Sequence, residues 1–399
     1  METLPPGFPR DLLTKPWTAR LEYFNRYTMA HPRLVAAREA LLGAIYQSAP
    51  NSLILVLGPT GVGKTTLRIK AEQMLTTAMS VDLKADPGRL PVVSVECIAP
   101  ESGAFSWRDH FRRLLLHMEE PLLDHKLHPG KSIHIADRTV RFMPNARAAG
   151  TEYRHALEMA LCFRRPVAVM LDEAQHLARV GPGRRLSDQL DVVKSIASYT
   201  KTVQVLLGTY GLLAFRNLSA QLSRRSFDIH FPRYRAEDSE DRRAFLTVLR
   251  SFEQQLPLSE PPELAKEWEF LYERSIGCVG VLKDWLVRAL TAVLRRGAPA
   301  LTFRDLETQA LSVSQCDKML AEALEGEVRL GESSEGRVRL RTRLGLSGHG
   351  VGTAQDSTVH IQEPSADMQR RRQKRPGQRR PVRDAIARTV ANYATAPAV

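Results

Sequence analysis

Residues 58–65 read GPTGVGKT and fit the spacing G-x-x-x-x-G-K-[ST]. Glycines at these positions let backbone N–H groups curl around a polyphosphate with no Cβ in the way, and the N-terminus of a following helix adds its dipole. Lys64 supplies a point charge for the β- and γ-phosphates and Thr65 a hydroxyl for Mg²⁺. Gly58, Pro59, Thr60, Gly61, Val62 and Gly63 form the loop itself, and Thr66 follows it. A second group of chemically able residues is Asp172-Glu173, which closes the apolar run PVAVML. The first carboxylate suits the shell of Mg²⁺, and the second can polarise an attacking water. By itself the pair reads equally well as an N-cap opening a helix. With a phosphate loop upstream, it reads as the acidic strand tip of a nucleotide hydrolase.

Four further residues belong to the same chemistry. Thr209 follows the strand-like run VQVLLG and is placed to sense the γ-phosphate, with a plain strand-ending turn as the alternative. Arg224 and Arg225 end the helix-like stretch 212–222, and either can project onto a neighbour's nucleotide to stabilise transition-state charge. Lys283 stands early in a helix of the C-terminal half and can reach the nucleotide from there; an ordinary surface lysine is the competing reading.

The elements that must position these groups follow from apolar patterning. The runs 53–57, 92–97, 166–171, 203–207 and 227–231 predict five strands, and helical periodicity predicts helices between them. The stretch 31–50 opens on His31-Pro32 with Leu34, Leu41, Leu42 and Ile45 at helical spacing. WRDHFRRLLLHM predicts a helix with Phe111, Leu114 and Leu115 inward. From 237 onward the period stays helical, giving about four helices through 324. The segment 121–147 is polar and basic and reads as an insertion or long hairpin. Its His125, His128 and His134 find no Cys or carboxylate at a metal-ligand spacing, so a solvated basic surface is favoured. Composition shifts to Gly, Ser, Arg and Glu from about Gly326, and a basic run occupies 370–383 (RRRQKRPGQRRPVR). These boundaries divide the chain into an N-terminal extension (1–30), an α/β nucleotide-binding domain (31–236), a helical lid (237–325) and a linker with a disordered basic tail (326–399). Trp17, Tyr23, Phe24 and Tyr27 imply that the extension packs on the body or on a neighbouring subunit.

Bulk properties narrow the class. The 399 residues carry 43% apolar residues, enough for a sizeable core, and no apolar run of membrane-spanning length. The N-terminus METLPPGFPRDLL lacks an apolar signal region, and the four cysteines lie far apart with no C-x-x-C pair, so free thiols in a reducing cytoplasm are expected. A formal net charge of +13 favours an anionic partner, nucleic acid first.

The order of helix, phosphate loop, acidic strand tip, polar strand tip, terminal arginine and helical lid resembles the AAA+ P-loop ATPases, which implies a five-stranded parallel sheet followed by a C-terminal lid. More narrowly, the chain resembles the TniB/TnsC-type regulators of DNA transposition, relatives of the phage Mu target-selection ATPase. The residues carrying that likeness are HPRL, GPTGVGKTT, VMLDEAQHL, LLGTYGL with QLSRR and FPRY, and RSIGCVGVLKDWLVRAL with LTFRDLE, spanning roughly residues 31–324. The resemblance implies a bacterial, cytoplasmic, nucleoid-associated protein. It would use ATP and Mg²⁺ to assemble as rings or helical filaments on double-stranded DNA, take input from a targeting factor and recruit a transposase. It assigns Lys64 and Thr65 to phosphate and Mg²⁺, Asp172 and Glu173 to Walker B, Thr209 to sensor 1, Arg224 or Arg225 to the finger, and Lys283 to sensor 2. Thr209 stands where Asn is frequent and Lys283 where Arg is usual, and a lysine lacks the planar fork. Arg108, Arg112 and Lys131 are the candidates for gripping phosphate backbones without reading bases. The rival is an origin-binding or helicase-loading AAA+ protein, which would append a winged-helix domain where this chain turns polar. A signalling P-loop switch would give no reason for the basic tail.

Overall fold

A computed structural model describes residues 7–101, 103–121, 123, 130–135, 138–142, 146–181, 183, 185–216, 218, 226–331 and 334–346, with the backbone alone at 130–135, 138–142 and 146–149. Five parallel strands make the main sheet: β1 (Leu53–Leu57), β2 (Val92–Glu96), β5 (Ala168–Asp172), β6 (Val203–Gly208) and β7 (Ser226–His230), in the order β2-β5-β6-β1-β7. A separate antiparallel ribbon pairs β3 (Gly130–Ile135) with β4 (Arg138–Phe142), so the insertion at 121–147 does contain a hairpin. Strand order follows apolarity. LILVL, AVMLD and VQVLLG are buried at every position and occupy the centre, where helices cover both faces. VVSVE and SFDIH, with exposed positions, take the edges.

The pleat of β1 divides the core into two. Leu53, Leu55 and Leu57 face the helices Trp107–His117, Ala146–Arg164 and Leu186–Thr200. Ile54 and Val56 face the helices Pro32–Gln47 and Lys64–Ala78. Phe111, Leu114 and Leu115 turn inward as the periodicity predicts, joined by His110.

The lid contains five helices: Ser239–Gln255, Trp268–Ser275, Val279–Arg295, Phe303–Gln309 and Val313–Leu330. The stretch read as a fourth helix is two, because Ser312 starts a new one: its side chain accepts the Gln315 N–H while the Gln315 side chain accepts from the Ser312 backbone. Trp285, Leu282, Leu286, Ala289 and Leu290 form the lid core with Phe245 and Phe252. Phe24, from the N-terminal helix Trp17–Arg26, is fully buried in that same core, so the extension packs on the lid.

The linker boundary read at Gly326 falls inside the helix Val313–Leu330. A Cβ on Gly326 would overlap the Tyr210 ring, so this glycine permits a close helix approach rather than ending the helix. The chain forms two compact units, 1–333 and 334–399. The second is described only through 346, where Ser334–Arg343 is an exposed helix. The basic run 370–383 and the rest of the tail lie outside the described residues, as do His125 and His128. Among the described residues no helix is long and apolar enough to cross a membrane, and all four cysteines are free, three of them buried.

Candidate functional site

The sheet order brings the chemistry to the carboxyl ends of the central strands. The C-terminal tip of β6 lies between the tips of β1 and β5, so Gly58, Thr209 and Asp172 share the carboxyl end of the sheet, where ligands of open α/β sheets bind. Gly58 leaves β1 so close to the next strand that a Cβ would overlap the Phe231 carbonyl oxygen. Gly63 has φ +111° and caps the helix Lys64–Ala78, a conformation that L side chains rarely adopt. Lys64 is 5% exposed, and its Nζ donates to the carbonyls of Pro59 at 2.8 Å and Gly58 at 3.2 Å. Burial pushes its pKa down, and the carboxylates of Glu173 and Asp172 oppose that shift. The positive-φ glycines Gly61 and Gly63 and the buried ammonium of Lys64 fit a loop that wraps a polyphosphate.

Asp172 is 2% exposed at the tip of β5. Its Oδ1 accepts the Glu173 N–H at 3.0 Å, and its Oδ2 accepts from Arg68 Nε at 3.2 Å. Thr65 is solvent-exposed in the first turn of the phosphate-loop helix. The described residues hold no cluster of three or more His, Cys, Asp or Glu that could cage a metal.

Glu173 has φ +50°, which swings its side chain out of the strand direction. Its Oε2 accepts from Gln175 Nε2 at 2.5 Å, and Gln175 Oε1 accepts the Thr209 N–H at 3.2 Å. One amide thus ties the acid proposed as base to the polar strand tip. The Thr209 hydroxyl accepts the Gly211 N–H at 3.4 Å, capping the short turn that follows.

Lys283 is engaged by the N-terminal helix. Its ammonium donates to the Phe24 carbonyl and lies 3.3 Å from the Phe24 ring centroid, with Tyr27 and Phe252 each at 5.6 Å. Burial pushes its pKa down to about 7. The lysine thus ties the lid to the N-terminal helix, and the sensor-2 role stays a proposal. Contact with the phosphate loop comes from backbone, the Val281 N–H donating to the Gly61 carbonyl at 3.1 Å. A cavity of about 230 Å³ adjoins the loop, lined by Tyr27, Met29, His31, Gly63, Thr66 and Lys283 among others. The N-terminal contribution to it escaped the sequence reading, as did Arg68 and Gln175.

His31 caps the helix Pro32–Gln47, its Nδ1 3.0 Å from the Tyr234 hydroxyl and its ring stacked on Phe231. His110 is buried among Phe105, Trp107 and Phe111, with no hydrogen-bond partner on either ring nitrogen. Burial lowers both imidazoles to about 4. Unfolding lets them protonate near 6.5, so stability present above about pH 6.5 is lost as pH falls toward 4. The slope is up to two protons, each worth ~1.4 kcal/mol per pH unit. Urea midpoints should therefore fall between about pH 7 and pH 5; a flat midpoint there would contradict the neutral-histidine assignment.

Arg108 and Arg112 are exposed one turn apart on the helix Trp107–His117. Their neighbour Arg113 is spent on Asp109 at 2.6 Å. Lys131 lies in β3, where only the backbone is described. Arg224 and Arg225 lie outside the described residues.

A family model described as AAA domain matches residues 48–215. No curated protein matches the sequence. Among solved structures, the chain is similar to the ORC2 protein of Aeropyrum pernix in its ADPNP and ADP complexes, at 14% identity, over 74% of this chain and 71% of that one, with a TM-score of 0.47. It is similar to Cdc6p from Pyrobaculum aerophilum at 13% identity, over 76% and 71%, with a TM-score of 0.47. It is also similar to AMPPCP-bound DnaA from Aquifex aeolicus at 13% identity, over 69% and 68%, with a TM-score of 0.37. With the domain match at 48–215, the strand order and the phosphate-loop geometry, this chain has an α/β AAA+ fold built on a five-stranded parallel sheet.

Proposed function

We propose that this chain is an ATP-hydrolysing regulator of DNA transposition, which assembles on duplex DNA without reading bases, marks a target site and recruits or activates a transposase. The observation that supports it most is the meeting, at the carboxyl end of the sheet, of the 58–65 cradle, the buried Asp172, and Glu173 linked through Gln175 to Thr209. Lys64 and the loop N–H groups hold the triphosphate, and Thr65 and Asp172 hold Mg²⁺, which neutralises charge on the phosphate oxygens. Glu173 orients water and draws its proton, while Gln175 keeps that carboxylate in register with Thr209. Arg224 or Arg225 of an adjacent copy completes the site, so assembly and nucleotide state are coupled. The exposed Arg108 and Arg112, with Lys131, grip phosphate backbones, which are the same in every sequence. The basic segment 370–383 adds a contact to DNA, transposase or targeting factor. Such a protein works on the nucleoid in a bacterial cytoplasm.

Negative-stain imaging with a non-hydrolysable ATP analogue and random-sequence duplex DNA tests this. Rings or spirals on DNA of any sequence are expected. Monomers that bind one specific sequence would overturn the proposal in favour of an origin-binding ATPase.

A further inference from the structure

The buried carboxylate at the tip of β5 already has a cation. Asp172 Oδ2 accepts from Arg68 Nε at 3.2 Å, and Arg68 stands one turn beyond Lys64 on the phosphate-loop helix. The same guanidinium donates through Nη1 to Glu72 Oε1 at 2.5 Å and to the Ser94 hydroxyl in β2. The two acids differ in setting: the Asp172 side chain is 3% exposed and that of Glu72 is 25% exposed. A carboxylate as buried as Asp172 requires a countercharge. Two cations on the same oxygen repel each other.

We propose that Arg68 is a built-in competitor for the divalent cation at Asp172. It neutralises that acid in the structure, and it would shift its hold to Glu72 if Asp172 were to help hold a divalent cation. The inference rests on the reading of Asp172 as a Mg²⁺ ligand. Glu72 serves as the alternative seat, since the guanidinium already touches it. Metal binding at this site is then an exchange of one positive charge for another. The Mg²⁺ level at which the site fills is set by how firmly Arg68 holds Asp172, and Glu72 tunes that hold. Arg68 is a positioning residue, since it acts through Asp172.

The test is equilibrium binding of a fluorescent non-hydrolysable ATP analogue to the full chain across a Mg²⁺ titration. Arg68→Met keeps the length of the side chain and removes the charge; its Mg²⁺ half-point is expected to fall about tenfold, within the usual range of coupling between two ligands. Glu72→Gln removes the alternative seat, so its half-point is expected to rise. A general loss of packing would move both variants the same way, so shifts in one direction, or none, overturn the proposal. Should Arg68→Met fail to fold, the sign of the Glu72→Gln shift decides alone. Wild-type chain that binds no nucleotide at any Mg²⁺ level overturns the site reading and this inference with it. Nucleotide binding with unmoved half-points overturns this inference only.

Discussion

Glu173→Gln is expected to slow ATP turnover by about 10²–10⁴-fold while leaving nucleotide binding intact. The reason is local. Glu173 sits at φ +50° directly after Asp172, and its Oε2 is held by Gln175 at 2.5 Å. A carboxamide has the same shape and can turn its oxygen to Gln175, so the turn and the neighbouring Asp172 survive. What it cannot do is take a proton from water. Binding should therefore persist, and any assembly that needs bound ATP should accumulate rather than dissolve. Nucleotide affinity and steady-state phosphate release, measured on the same sample, separate the two effects. Turnover near the wild-type rate would remove Glu173 from the base role.

Glu327→Ala is expected to cost ~3–5 kcal/mol of stability, the range for breaking a buried ion pair from one side. Its side chain is 6% exposed, as is that of Arg233, and Oε1 lies 3.0 Å from Arg233 Nε while Oε2 lies 3.0 Å from Arg235 Nη2. Truncation leaves the Arg233 guanidinium buried with the Tyr272 hydroxyl as its remaining partner. Against a typical total of ~5–15 kcal/mol, that loss is large. Replacing both partners with apolar residues, as in Arg233→Met with Glu327→Leu, should cost less than the single change. Chemical denaturation midpoints of the three proteins decide it. A single variant within ~0.5 kcal/mol of wild type would mean that water reaches the pair.

That ion pair also marks where sequence and structure part company. Local chemistry was legible: GPTGVGKT carries its own geometry in its glycines, and the apolar run into Asp172-Glu173 marks a central strand by composition alone. The end of the lid was not. Gly326 looks like a helix terminator because glycine weakens helices, yet it is present so that Tyr210, far away in the chain, can press against the helix. Glu327 looks like a surface acid until Arg233 is brought to it. Lys283 reads as a cation aimed at phosphate, and only the folded position of Phe24 shows its carbonyl taking the ammonium. Arg68 and Gln175 are invisible for the same reason: each draws its meaning from a partner distant in sequence, Asp172 for Arg68 and Thr209 for Gln175. Arg224 and Arg225, whose role depends on a second copy, stay a proposal.

The bare meeting of Gly61 and Gly280 has a mechanical corollary. A Cβ on Gly280 would collide with the Gly61 carbonyl, and one on Gly61 with the Val281 side chain. The Gly280 backbone meets the Gly61 carbonyl directly, and the Val281 N–H donates to that same carbonyl at 3.1 Å, so loop and helix are joined backbone to backbone. The helix rooted there runs 17 residues, about 25 Å at 1.5 Å per residue. Phe24 of the N-terminal helix packs on that same arm, so the phosphate loop, the lid helix and the N-terminal helix are joined in one continuous series of contacts.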